Sequence, residues 1–424
     1  MRASLSLALL FSLACASGSA RTAVPASGQM TAAGRALAAA PVFDGHNDLP
    51  WEIRNDTIAR KDPTRYDLRT RSRGHTDIAR LRAGRVGAQF WSVYVPGDYA
   101  DSGYARVQLE QIDIARRAIQ LYPDAFELAL TADDVVRIQR SGKIASLLGM
   151  EGGHAIENSL GALRAFRQLG AAYMTLTHNV TLDWVDSGMD SARHGGLTAF
   201  GREVVGEMNR LGMLVDLSHV SDATMSDALD ASQAPVIFSH SSARALTNVP
   251  RNVPDSILRR MPANGGVVMI TFVPGFVSQE VADYGRRVNA LRRDLLLRFP
   301  GDSAARVRAE AEWVAANPSP RATVGHVADH IEHVRRVAGM EHVGIGGDFD
   351  GISTVPIGLE DVSTYPALFA ELERRGWGER DMRMLASENI LRVMRAAEAV
   401  AARLQRERGP SYQTIEELDR RARR

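Results

Sequence analysis

The chain has 424 residues, 45% of them hydrophobic and 24% charged, enough to bury one large core or two ordinary ones. Its formal net charge of +1 removes the electrostatic case for nucleic-acid binding, despite the short basic tail of Arg420, Arg421, Arg423 and Arg424. Lysine occurs only at Lys61 and Lys143, and Cys15 is the sole cysteine, so an intrachain disulfide is excluded.

Residues 1–20 read as an export signal: Arg2, an apolar run from about Leu5 to Ala14, then small residues ending in Ser19-Ala20. The run is too short to span a membrane, so the expectation is an exported protein, periplasmic or secreted, without a transmembrane span. Cys15 is a candidate lipid-attachment residue, which would anchor the protein as a lipoprotein. The context Ser12-Leu13-Ala14 is imperfect for that processing and favours ordinary cleavage. The polar C-terminus carries no GPI signal. Residues 21–40, rich in Ala, Gly, Ser and Thr, read as a linker, 41–405 as one domain, and 406–424 as a peripheral arm.

From residue 41 onward, short apolar runs alternate with helical patterns, as in a parallel α/β protein. Strands are predicted at 41–44, 86–95, 144–150, 172–177, 213–217, 235–238, 266–271 and 342–345. Helices are predicted between them, among others at 160–169, 198–211 and 222–231. Eight such units predict a (β/α)₈ barrel. A doubly wound sheet would carry a Gly-rich phosphate loop after its first strand, where this chain has Asp44-Gly45-His46-Asn47-Asp48. The connection from about 274 to 341 is long and helical, with patterns at 291–299, 304–317 and 323–337, and predicts an excursion beside the barrel mouth before the eighth strand. Helices at 367–375 and 379–398 should pack outside the barrel.

In such barrels the chemistry gathers at the C-terminal ends of the strands. Those positions hold His46, Asp48, Glu151, His178, His219, His240 and Asp348. Any one of them alone reads as a loop cap or a satisfied core group. Together on one rim they read as a metal centre, since imidazole and carboxylate form a mixed donor set suited to Zn²⁺. On an extended strand His46 and Asp48 face the same way. The inventory fits two ions better than one, with Glu151 bridging, His46 and Asp48 completing the first site, and His219 and His240 the second. Water bridging such ions is acidic enough to be hydroxide near neutral pH. Many related barrels bridge with a carbamylated lysine, but Lys143 lies at the wrong end of its strand and Lys61 in a loop. Asp348 is the candidate proton shuttle or, alternatively, a further ligand of the first site. Asp350 reads as a residue that holds the loop.

The segments Asp44-Gly45-His46-Asn47-Asp48, His75-Thr76-Asp77, Gln89-Phe90-Trp91-Ser92, Glu151-Gly152-Gly153 and Thr175-Leu176-Thr177-His178-Asn179 are followed in order by four more. These are Asp216-Leu217-Ser218-His219, Ser239-His240-Ser241-Ser242, Arg251-Asn252 and Gly347-Asp348-Phe349-Asp350-Gly351. From about residue 41 to 398 the chain thereby resembles the membrane dipeptidase (renal dipeptidase) family of the amidohydrolase superfamily. The resemblance implies a binuclear zinc site on His46, Asp48, Glu151, His219 and His240, and hydrolysis of dipeptides with a free C-terminal carboxylate. It further implies that His178 stabilises the tetrahedral intermediate, Arg251 binds the substrate carboxylate, and Asp348 is the acid/base. Arg244 is a rival for the role of Arg251. Phe276 falls where some members carry a substrate-contacting tyrosine.

Alternative readings are hydrolysis of another small amide or lactone, and a catalytically silent peptide-binding relative with a structural metal. The spare carboxylate of Asp348 argues against silence. His326, His330 and His333 share one predicted helix and read as a structural or solvated face, His154 as a neighbour of the metal centre, and His75, His194 and His342 as structural or loop residues. A homodimer is the default expectation for assembly.

Overall fold

The computed structural model describes residues 30–98 and 103–419. The export signal, Cys15 and the basic tail lie outside them. Among the described residues no helix is long and apolar enough to cross a membrane.

Nine parallel strands form one sheet: β1 (Val42–Asn47), β2 (Val86–Ser92), β3 (Phe126–Leu128), β4 (Ile144–Glu151), β5 (Ala171–Thr175), β6 (Leu214–Asp216), β7 (Ile237–Phe238), β8 (Val267–Ile270) and β9 (Val343–Ile345). Their order is β2-β1-β9-β8-β7-β6-β5-β4-β3, and a direct β2–β4 ladder, from Ala88 against Ala145 to Ser92 against Gly149, closes the ring. The barrel therefore consists of the eight strands expected from the apolar runs, all buried on both faces as parallel strands must be. The extra strand β3 pairs with the first residues of β4, on the edge that β5 takes over from Leu148 onward. It widens the sheet below the ring without entering it.

The interior is filled by Phe43, Ala88, Phe90, Leu147, Tyr173, Leu214, Ile237, Val267 and Met269. This cluster continues into Ile390, Val393, Met394 and Ala397 of the last long helix (Asn389–Glu407) and into the helix Ala132–Arg140. The C-terminal helix thus packs against the filled interior as well as the outer shell, where an outside position alone was expected. With that end covered by apolar packing, the opposite end is where polar groups gather.

Between β8 and β9 run the helices Pro274–Val277, Gln279–Arg298, Ser303–Ala316 and Val324–Ala338. The last is the true crossover helix: Val327, Ile331 and Val334 are fully buried, whereas Ser303–Ala316 buries no residue. The predicted linker is partly wrong. Ala32–Ala39 forms a helix capped by Thr31, with Ala33, Ala36 and Leu37 in the core, because alanine is the best helix former even where composition looks linker-like. The arm after Glu407 is docked by the Ser411 carbonyl accepting from Arg164 at 2.8 Å and by Asp419 accepting from the Phe200 N–H at 3.0 Å.

The histidines of the crossover helix are structural. His326 Nδ1 accepts from the Thr323 N–H, and His333 bonds Asp255. His330 accepts from the Ala243 N–H through Nδ1 at 3.0 Å, so its Nε2 donates to the Val277 carbonyl at 3.2 Å. Burial pushes the His330 pKa down to about 4. The unfolded chain binds this proton near its ordinary value of 6.5, so the contribution to stability is complete above that pH and is lost as pH falls toward 4. Equilibrium unfolding followed from about pH 7.5 to 4 should show a loss from this group of roughly 3 kcal/mol. His330→Gln should be less stable at neutral pH but show a shallower decline.

Candidate metal centre and active-site cleft

All eight residues singled out in the sequence meet at the C-terminal mouth of the barrel. Asp48, Glu151, His178, His219, His240, Arg251 and Asp348 line one cleft of about 670 Å³, and His46 lies buried behind them. Three overlapping groups have ligand atoms within 4.8 Å of one another: His46, Glu151 and His240; Glu151, His178 and His219; His46, Asp48 and Asp348.

Glu151, the last residue of β4, stands at the centre. Its Oε2 faces His46 Nε2 at 3.4 Å and accepts from Ser92 Oγ at 3.1 Å. Its Oε1 faces His219 Nε2 at 3.1 Å, His240 Nε2 at 3.5 Å and His178 Nε2 at 3.8 Å. Asp48 Oδ2 lies 3.2 Å from His46 Nε2.

The partners of the opposite ring nitrogens fix what the Nε2 atoms can do. His219 Nδ1 contacts Asn179 Oδ1 at 3.0 Å, an acceptor only, so the proton sits on Nδ1. Ser239 Oγ donates to Asp216 Oδ2 at 2.7 Å and therefore accepts from His240 Nδ1 at 2.8 Å. Tyr173 Oη, whose proton points to the Gly45 carbonyl, accepts from His46 Nδ1 at 2.8 Å. Three Nε2 lone pairs are thereby turned onto two carboxylates. His219 Nε2 and His240 Nε2 stand 2.9 Å apart, and His46 Nε2, fully buried, has no hydrogen-bond donor. Lone pairs facing each other and anions at this range repel, and divalent cations among them reverse the sign. The donor set fits a metal.

The electrostatics agree. Burial holds His219 and His240 well below the ordinary imidazole pKa, helped next by Arg251 at His219 and by His46 and then Arg251 at His240, and favours the neutral form that metals require. Burial opposes ionisation of Glu151, but His46 and the imidazoles around it more than reverse this and hold it well below the carboxylate range. At His46 burial is outweighed by Tyr173, Glu151 and Asp48, which draw positive charge to this corner. Asp348 goes the other way: burial and the neighbouring carboxylates push it well above its usual value.

Two of the cleft residues sit in left-handed backbone, His219 at φ 70° and Asp348 at φ 64°. Such conformations are costly for non-glycine residues and turn the chain abruptly at the strand end. Gly149 and Gly351 are there for close approach. A Cβ on Gly149 would stand 2.0 Å from the Tyr173 ring, and one on Gly351 would stand 2.3 Å from Asp48 Oδ2 and 2.6 Å from Asp348 Oδ1.

Arg251 is 3% exposed, and its hydrogen bonds are long, 3.4 Å to Ser241 Oγ and 3.3 Å to the His240 carbonyl. Burial lowers its pKa to about 10, and its guanidinium lies 5.3 Å from the Phe276 ring. Arg244 is committed elsewhere, in a two-bond pair with Asp222. Asp350 and His75 bond each other's backbone N–H groups, which fixes the loop after β9. His154 donates to the Val95 carbonyl at 2.8 Å and touches no ligand. Lys143 pairs with Glu127 at the far end of β4, and Lys61 with Glu110. Tyr173, Ser239, Asp216 and Asn179, which orient the imidazoles, were not singled out from sequence. Only Gly149 left a signal, as a glycine inside a strand.

The model of the membrane dipeptidase family (peptidase family M19) matches residues 30–408. The chain belongs to this family. It is 43% identical over 365 residues to Dipeptidase 3 of Rattus norvegicus, covering 85% of this chain and 66% of that protein, slightly under two thirds of its length. The fold is shared with the probable dipeptidase PvdM of Pseudomonas aeruginosa, at TM-score 0.75 and 23% identity over 87% of this chain and 98% of that one. A metallo peptidase of Rhodobacter sphaeroides, solved with a phosphinate mimic of the dipeptide L-Ala-D-Ala, is similar at TM-score 0.69 and 26% identity, over 84% of this chain and 99% of that one.

Among the described residues the Tyr173 hydroxyl is the hydrogen-bond partner of His46 Nδ1. Tyr173→Phe should therefore weaken metal binding about 10- to 100-fold, read by competition with a chelator.

Proposed function

We propose that this M19 member is a binuclear zinc dipeptidase that hydrolyses dipeptides bearing a free C-terminal carboxylate. The observation that carries this reading is the division of labour at Glu151: Oε2 faces His46, while Oε1 faces His219 and His240. His46 and Asp48 would hold one ion, His219 and His240 the other, and Glu151 both. Zinc bound there supplies Lewis acidity toward the scissile carbonyl and toward water.

The chain's own groups do the remaining work. Arg251 offers a buried guanidinium that no carboxylate among the described residues neutralises within ion-pair range, ready for a bidentate pair with the substrate's C-terminal carboxylate. Stacking on Phe276 keeps its fork fixed. His178, its pKa lowered by burial, is held between the Tyr94 and His219 rings, 4.8 and 4.2 Å away, where it can steady the oxygen of the tetrahedral intermediate. Asp348, whose pKa burial and the neighbouring carboxylates raise well above its usual value, can take up a proton and deliver it to the departing amine. The stereochemistry of the L-Ala-D-Ala mimic bound to the Rhodobacter sphaeroides peptidase supports including D-residues at the second position among the substrates to test. Export is part of the proposal, on the apolar run before Cys15.

Asp348→Asn should lower kcat by roughly 10²- to 10⁴-fold while metal content, measured on the purified protein, stays at the wild-type level. Unchanged turnover would remove its role. Amidating the C-terminus of a good dipeptide should raise KM strongly in the wild type and make little difference in Arg251→Met, a double comparison that isolates the carboxylate–guanidinium pair.

A further inference from the structure

The cleft carries negative charge that peptide hydrolysis alone does not use. Glu52 lies on the helix Leu49–Asn55, one turn beyond Asp48, its N–H bonded to the Asp48 carbonyl at 2.9 Å. Its side chain lines the cleft beside Trp51, Asn55 and Asp350. The nearby Arg73 is paired with Asp56, and Glu52 has no ion pair among the described residues. Next to it, the Asp350 side chain is 1% exposed, and its Oδ2 has no hydrogen-bond partner. Arg251 lines the same cleft with the opposite charge.

A dipeptide held with its carboxylate on Arg251 and its scissile carbonyl at Glu151 places its α-ammonium directly beside the reacting centre, within the shell of Asp48 and Asp348. Glu52, a helical turn of about 5.4 Å further out, is beyond the α-ammonium and within range of a side chain on the first residue. The flexible four-carbon stem of lysine, or the longer arm of arginine, spans that gap.

We propose that Glu52 makes this cleft selective for dipeptides whose first residue has a cationic side chain, the head group pairing with the Glu52 carboxylate. The inference rests on the dipeptidase reading and adds a substrate subclass to it. Because the pair is half-buried, it should favour lysyl-alanine over norleucyl-alanine by roughly fivefold in kcat/KM, and mainly through KM.

The test measures kcat and KM of the zinc-loaded enzyme and of Glu52→Gln on lysyl-, arginyl-, norleucyl- and glutamyl-alanine. The expected result is a lysyl-to-norleucyl ratio that exceeds one in the wild type and collapses toward one in Glu52→Gln, through KM. Glu52→Lys, where its thermal unfolding matches the wild type, should shift preference toward glutamyl-alanine; Glu52→Gln keeps the test decisive if that variant does not fold. A ratio near one in the wild type, or one that Glu52→Gln leaves unaltered while dipeptides are still cleaved, overturns this inference and spares the dipeptidase reading. Failure to cleave any of the four overturns both.

Discussion

The site depends on what holds the far side of each imidazole. Three histidines turn Nε2 to the same carboxylate because Asn179, Ser239 and Tyr173 each engage Nδ1 on the far side of the ring. Each of these partners is itself constrained. Asp216 is the strongest example: its two oxygens accept from the Ser218 and Ser239 N–H groups and from the Thr175 and Ser239 hydroxyls. A carboxylate so saturated at the end of β6 ties β5, β6 and β7 together and sets the rotor of Ser239. The tautomer of His240 is thus decided by an acid that touches neither the imidazole nor the cleft.

The same logic operates across the β1–β9 pair. Asp44, fully buried, accepts from the His46 N–H at 2.7 Å, the Gly347 N–H at 2.9 Å, Gln89 Nε2 at 3.0 Å and the Tyr365 hydroxyl. Burial raises its pKa, and these donors offset part of that cost. Asp44 therefore locks the strand that bears His46 against the loop that bears Asp348, whose N–H in turn bonds the His46 carbonyl at 3.1 Å. The corner that carries His46 and the corner that carries Asp348 are thereby tied together. Left-handed backbone at Asp348 is sustained by this surrounding network.

The barrel and its rim were legible because two periodicities coincide: apolar runs too short for helices mark the strands, and the polar residue that ends each run marks the mouth. What escaped was of two kinds. Short or compositionally plain elements gave no pattern, as with β3, only Phe126–Leu128, and the Ala-rich helix Ala32–Ala39. Interior residues such as Tyr173 read as core, since nothing in an aromatic strand residue reveals which atom its hydroxyl meets. Arg251 was set above Arg244 by the resemblance alone, for a similar reason. The difference between them is burial and the location of Asp222, both of which are tertiary facts.

The charges in the cleft also bear on why a glutamate sits at its centre. Both lysines are spent on ion pairs away from the mouth, and the central position is held by a carboxylate that is anionic without prior modification. Its negative charge is then permanent, and so is the need to balance it. The imidazoles of His219 and His240 are held neutral by burial, and Arg251, deep in the same wall, contributes the only fixed positive charge lining the cleft among the described residues. A guanidinium so placed is costly unless a second anion arrives with the ligand. The wall that steadies the metal ligands and the wall that calls for a carboxylate are therefore one electrostatic arrangement. On the proposed function, catalytic power and preference for a free C-terminus are then two consequences of this one arrangement of charge.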